Sequence, residues 1–270
     1  MTADNQDRFL DIEKIISAKF GKGKVAKPVV AFFKRFIHQD WMNEMLKMQS
    51  DGADFCDDLL ERMDIKIEVE GLENVPVDGT RYCFASNHPL GAVDGIALCS
   101  LITRNFGPMK MLVNDFLLYI KPIAPLCVPI NKVGSQARNL PQMIDEAYRS
   151  DNHLLMFPSG SASRRVKGRI QDLPWTKTFI TKSVETDRAV VPVHFVGRNP
   201  GRFYRADWFF RKFLKLKFNI PMLFLPDAFY HAQHKTFRVI FGQPIPAASF
   251  DKSRKPAEWA AWVREKVYQL

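Results

Sequence analysis

An α/β fold, with a mixed and largely parallel sheet flanked by helices and preceded by a helical segment, is what this sequence predicts. Three observations carry that prediction. From residue 65 onward, short apolar runs of strand character alternate with stretches whose apolar residues recur at helical spacing. Residues 1–63 carry helical spacing only, so the chain divides into an N-terminal helical segment, 1–63, and an α/β domain, 64–270. The apolar runs also tend to end abruptly in polar residues, and ligands of open α/β sheets collect at such strand ends.

In chain order, Phe9, Ile12, Ile15, Ile16 and Phe20 keep a helical period until Gly21-Lys22-Gly23 breaks it. Pro28 then opens a helix carrying Val29, Val30, Phe32, Phe33, Phe36, Ile37 and Trp41, flanked by Lys27, Lys34 and Arg35. Such a helix either lies in a membrane interface or packs on its own domain. A third helix is predicted over 53–63, and strands over 65–69 and 82–85. Val93, Ile96, Ala97, Leu98, Leu101 and Ile102 predict a helix near 94–103, then a strand near 109–113 and a helical turn from about 114. Residues 126–130 read as a buried strand, and Asn139 with Pro141 as a helix start with Met143, Ile144, Ala147 and Tyr148 on its apolar side. After the apolar strand that begins near His153 come an apolar block at 190–193, a loop at 197–201 and a basic, aromatic stretch at 202–217. A strand at 236–241, a turn at 242–246 and a helix at 256–268 close the chain.

With 270 residues, 46% of them hydrophobic, the chain can bury a substantial core. Its formal charge of +10 favours an acidic surface: nucleic acid, anionic lipid or an acidic carrier protein. The four cysteines, Cys56, Cys83, Cys99 and Cys127, lack paired metal-ligand spacing and read as buried thiols in a reducing compartment. The start is polar and acidic, unlike a secretory signal, and no apolar run reaches the length of a membrane span, so a soluble or peripheral protein is expected.

Two stretches carry chemistry. In 82–95 the apolar run stops at Ser86-Asn87-His88-Pro89, which delivers a histidine to a loop, and Asp94 falls at a helix N-terminus, where a carboxylate is favoured. The loop is short enough to return the Asp94 carboxylate to one nitrogen of His88, leaving the other as a general base. The same residues also fit a plain turn with a capping aspartate. In 153–169 a strand runs into Phe157-Pro158-Ser159-Gly160-Ser161, and Arg164, Arg165, Lys167 and Arg169 come after it with no acid among them. Freed backbone N–H groups and guanidinium groups suit a phosphate or carboxylate; a solvated basic loop is the alternative.

Asn87-His88, five residues, and Asp94-Gly95 resemble the signature of the glycerolipid acyltransferase superfamily, in which four residues usually separate the histidine and aspartate. The longer form, His-Pro-Leu-Gly-x-x-Asp-Gly, is similar to the branch that O-acylates lyso-aminolipids such as lyso-glycine or lyso-ornithine lipids. Phe157, Pro158 and Gly160 match the family's Phe-Pro-Glu-Gly-Thr block, with Ser159 in place of its glutamate and Ser161 of its threonine. The run from Ser163 through Asp172 to Trp175 again resembles that branch. Residues 128–132 resemble the family's Phe-Ile-x-Arg block, with Lys132 for arginine, and 190–193 its last apolar block.

The resemblance implies an O-acyltransferase that moves a fatty acyl group from an acyl carrier protein or coenzyme A thioester to a lyso-lipid hydroxyl, without further cofactor or metal. His88 and Asp94 would be catalytic, and Lys132, Ser159, Gly160, Ser161, Arg164, Arg165 and Lys167 would hold the acceptor. The implied setting is the cytoplasmic face of an anionic membrane rather than nucleic acid. Phosphatidic acid synthesis from lysophosphatidic acid is the alternative within the class. Outside it stand a lipid hydrolase using Ser86, Ser159 or Ser161, although none lies in a Gly-x-Ser-x-Gly elbow, and a non-catalytic membrane-binding protein.

Overall fold

The period-two pattern of 82–86 sorts the two faces of a central sheet. Phe84 joins one core with Phe55, Leu59, Leu98 and Ile102, while Cys83 and Ala85 face a second core with Tyr148, Phe179, Val263 and Val267. A strand that is apolar on both faces must be covered on both, and it is. The computed structural model describes residues 9, 11, 13, 26–114, 117–118, 120–131, 139–166, 168–212 and 225–270, with backbone only at 131 and 210–212.

The helical segment contains α1 (Lys27–Phe36), α2 (Gln39–Met45) and α3 (Gly52–Arg62). It leads into β1 (Lys66–Glu70), β2 (Tyr82–Ser86), α4 (Val93–Phe106), β3 (Met109–Asn114), a 3-10 turn and β4 (Cys127–Asn131). Then come α5 (Leu140–Arg149), β5 (His153–Met156), β6 (Arg164–Val166), β7 (Arg169–Gln171), α6 (Thr178–Glu185) and β8 (Ala189–Val196). The last elements are α7 (Gly201–Lys212), α8 (Leu225–Tyr230), β9 (Thr236–Phe241) and α9 (Pro256–Val267).

The seven-stranded sheet has the order β1-β9-β8-β2-β5-β3-β4. Among the described residues of this sheet, β8, β2, β5, β3 and β4 run parallel, β1 runs parallel to β9, and the β8–β9 junction is antiparallel. The sheet is therefore mixed and largely parallel, as the sequence predicts. Helices α3 and α4 cover one face, and α5, α6 and α9 the other. Because β8, β2 and β5 are neighbours, their carboxyl ends open side by side, and the loops that leave them converge.

Two expectations are corrected. The helix expected to run from Pro28 to Trp41 breaks at His38, whose backbone is left-handed with φ of 53°. A contact distant in sequence explains the break: the His38 ring stacks on Tyr230 at 3.8 Å and bonds Asp227 at 3.1 Å. The basic 163–169 stretch is no plain loop, since β6 and β7 pair antiparallel across it. The aromatic stretch 202–217 is helical as far as Lys212; its remainder, like the expected helix over 9–20, falls outside the described residues, apart from three single positions in the latter.

Candidate active site

The site is assembled from the loops that leave β2, β5 and β8. Beyond the end of β2, Asn87 extends the pairing with β8 by a side-chain bridge: its Nδ2 donates to the Phe195 carbonyl at 2.9 Å, and the Phe195 N–H donates to its Oδ1 at 2.7 Å. His88 comes next. Its backbone carbonyl accepts from Ser163 N–H at 2.7 Å, and the carbonyls of Pro89 and Leu90 accept from Asn199 Nδ2, beyond β8, at 3.0 and 3.3 Å. The loop is therefore tied to β8 and to the segments that follow β5 and β8.

Asp94 lies in the first turn of α4 and is fully buried. Its Oδ2 accepts from the N–H groups of Leu90 at 2.9 Å and Gly91 at 3.2 Å, and its Oδ1 from Gly95 N–H at 3.0 Å. The same Oδ2 faces His88 Nδ1 at 3.0 Å. An ionised carboxylate only accepts, so Nδ1 carries the proton and Nε2 keeps its lone pair. The five-residue spacing closes because Gly91 turns back with φ of +82°, a conformation that favours glycine. A Cβ there would also come within 2.7 Å of a Leu225 methyl and 3.1 Å of Ala162 Cβ, so the backbone is closely packed at Gly91.

The His88 ring stacks on Phe157, just beyond β5, with centroids 3.9 Å apart, and keeps 16% of its side-chain surface exposed. Burial disfavours the imidazolium, but the charge and hydrogen bond of Asp94 outweigh it, so the pKa of His88 lies above the ordinary histidine value. Burial likewise pushes the Asp94 carboxyl up, yet the His88 charge and the converging hydrogen bonds win, and its pKa is lowered. The pair is an ionised acid that holds a strengthened base.

The acceptor residues expected from the sequence are placed unequally. Ser159 and Gly160 lie in a tight turn, Gly160 N–H donating to the Phe157 carbonyl at 2.9 Å and Ser159 Oγ to the Ser161 carbonyl at 2.8 Å. Arg165 is exposed on β6. Arg164, its neighbour, instead turns inward, buried against Asp207 of α7 at 3.4 Å and over the Phe203 ring. Lys132 and Lys167 lie outside the described residues. Ser86, weighed as a nucleophile, is fully buried and donates to the Asn87 carbonyl at 2.8 Å.

Sequence reasoning missed the roles of Asn87, Asn199 and Asp172. Among the described residues, one group of metal-ligating side chains converges, His38, Asp227 and His231. It is engaged by the protein itself: Arg202 Nε donates to Asp227 Oδ2 at 2.8 Å, and His231 Nδ1 donates to the Asp227 carbonyl at 2.8 Å.

Residues 22–270 match the protein-family model described as Acyltransferase. The chain belongs to the acyltransferase family. It is 47% identical over 272 residues to a lyso-glycine lipid O-acyltransferase of Phocaeicola vulgatus, covering 99% of this chain and 97% of the relative. A second lyso-glycine lipid O-acyltransferase, from Bacteroides thetaiotaomicron, is 47% identical over 266 residues, 97% of each chain. Among solved structures, the 1-acyl-sn-glycerophosphate acyltransferase PlsC of Thermotoga maritima aligns over 88% of each chain with a TM-score of 0.45 and 15% identity. In this acyltransferase, no helix among the described residues is long and apolar enough to cross a membrane.

Proposed function

We propose that this acyltransferase moves a fatty acyl group from an acyl thioester to the hydroxyl of a lyso-aminolipid, a lyso-glycine lipid above all, with His88 as general base. The observation that carries the proposal is the His88 Nδ1 to Asp94 Oδ2 hydrogen bond at 3.0 Å, beneath a ring that stays partly exposed. Identity of 47% along nearly the whole chain to relatives named for that activity supports the choice of acceptor.

A thioester carbonyl is electrophilic already, so the chain need supply no nucleophile of its own. His88 Nε2 takes the acceptor hydroxyl proton as the oxygen attacks the carbonyl carbon; Asp94 stabilises the imidazolium that results. The C–S bond then breaks, and the imidazolium returns its proton to the leaving thiolate. Arg165, Lys132 and Lys167, with the Ser159-Gly160-Ser161 turn, hold the acceptor's carboxylate or phosphate. The donor is an acyl carrier protein or coenzyme A thioester, and no further cofactor enters.

The lipid is met at the anionic, cytoplasmic face of a membrane. Helix α1 exposes Phe32 (63%) and Val29 beside Lys27 and Arg35, and α7 exposes Trp208 and Phe209 beside Arg205, while Val30, Phe203 and Tyr204 remain buried. This pattern of exposed apolar residues rimmed by cations suits an interface.

The test offers purified protein lyso-glycine lipid or lysophosphatidate, each with acyl carrier protein and coenzyme A thioesters, and reads products by mass spectrometry. Acylated glycine lipid, absent with His88→Ala, is expected. Phosphatidate as the sole product would replace the acceptor, and unchanged turnover by His88→Ala would remove the base.

A further inference from the structure

Asp172 comes directly after β7 and is buried, 2% exposed. Three donors converge on its carboxylate. Oδ1 accepts from His88 N–H at 3.2 Å and from Ser163 Oγ at 2.6 Å, and Oδ2 accepts from Trp175 Nε1 at 2.9 Å. Ser163 N–H in turn donates to the His88 carbonyl, so both backbone polar groups of His88 are taken up by residues 163 and 172. Asp172 is itself braced from α9 and the residue just past its end: its N–H donates to Tyr268 OH at 2.8 Å, and its carbonyl accepts from Arg264 Nη2 at 2.8 Å.

We propose that Asp172 is a positioning residue for acyl transfer, a second carboxylate that grips the backbone of His88 while Asp94 grips its ring. The inference rests on His88 being the base. An ionised carboxylate alone among the side chains of this size offers acceptors on both arms; an asparagine would turn N–H groups toward donors on one arm and leave it unsatisfied. Held at its ring and at its main chain, the imidazole has little freedom to leave the attacking geometry, and displacements of about 1 Å are costly to rate.

The charge acts as well as the hydrogen bonds. The charged groups that act on His88 are Asp94 from α4, Asp172 beyond β7 and Arg164 from β6, the last paired with Asp207 of α7. Burial and Arg164 work against the imidazolium; Asp94 and then Asp172 work for it. A neutral strut in the same place would lack that effect.

The experiment compares the full-length wild type with Asp172→Asn, Ser163→Ala, His88→Ala and Val263→Ala, the last a buried truncation in α9 that serves as a stability control. Asp172→Asn is expected to lower kcat on the order of 10–100-fold, with KM for both substrates within about twofold and the acidic limb of kcat/KM moved to lower pH. Ser163→Ala keeps the charge and removes one donor from it, so its limb moves the other way. Val263→Ala lowers the thermal midpoint and leaves the limb in place. The proposal is overturned if folded Asp172→Asn keeps the wild-type kcat and limb, or if it loses rate with its limb in place, as a simple strut would. Should Asp172→Asn fail to fold, an unmoved limb in Ser163→Ala overturns it equally. Turnover surviving in His88→Ala would instead remove His88 as the base, on which the inference rests, and this keeps the two failures apart.

Discussion

Among the described residues, two part-buried histidine–aspartate pairs have nearly equal length, His88 with Asp94 at 3.0 Å and His38 with Asp227 at 3.1 Å. Their surroundings could hardly differ more. Asp94 is fully buried, satisfied by backbone N–H groups at the start of a helix, and its charge falls on a single imidazole. Asp227 is shared between His38, His231 and the guanidinium of Arg202, which already neutralises it. Orientation separates the pairs too. His88 bonds through Nδ1 and presents the outer nitrogen, whereas His38 spends Nε2 on the aspartate and stacks its ring on Tyr230. Distance alone does not make a base; the partner's remaining contacts and the nitrogen left over decide it.

Truncating each histidine puts this contrast under the greatest load. His88→Ala should cost about 10²–10⁴-fold in kcat, while His38→Ala should stay within about threefold under the same assay, measured as product formed per purified enzyme. If both fell alike, the contrast between the pairs would fail. Next comes Asp94→Asn, which keeps the shape and removes the charge. We expect a loss of about 10²-fold or more, with cooperative thermal unfolding retained.

The third prediction concerns pH. A general base must be neutral, so kcat/KM should fall as pH drops through the raised pKa of His88, placing the acidic limb above the ordinary value of 6.5. Stability runs the other way: the raised His88 pKa contributes fully below 6.5 and is lost as pH climbs through the folded value. The lowered Asp94 pKa contributes above 3.8 and is lost as pH falls through its folded value. A pH series of thermal midpoints beside kcat/KM should show the two curves diverging above neutrality. The smallest effect is reserved for the other pair. Asp227→Asn should destabilise by about 1–3 kcal/mol in denaturant titration and leave the acidic limb where it was.

The His88–Asp94 end was legible because its signals are local. The apolar run Tyr82–Ser86 stops at Asn-His-Pro, and the next helix is marked by its spacing and by Asp94 in its first turn. The break at His38 was illegible because its cause, Asp227, lies 189 residues away. The β6–β7 hairpin hid among arginines, since Arg164 looks like a surface cation until Asp207 and Phe203 are seen to bury it. Asp172 showed only as an acid between a glutamine and a leucine. Its partners come from three separate regions, so no window of sequence contains them. What resemblance supplied was the chemistry; what it left out was the bracing behind it.

Helix α8 reaches two distant parts of the fold. Leu225, at its start, presses on Gly91 inside the loop that carries His88, and two residues later Asp227 takes hold of the joint between α1 and α2. Six residues thus touch both the loop that carries His88 and the joint between the first two helices. A residue inserted between 225 and 227 should therefore shift the joint between α1 and α2 relative to the loop that carries His88.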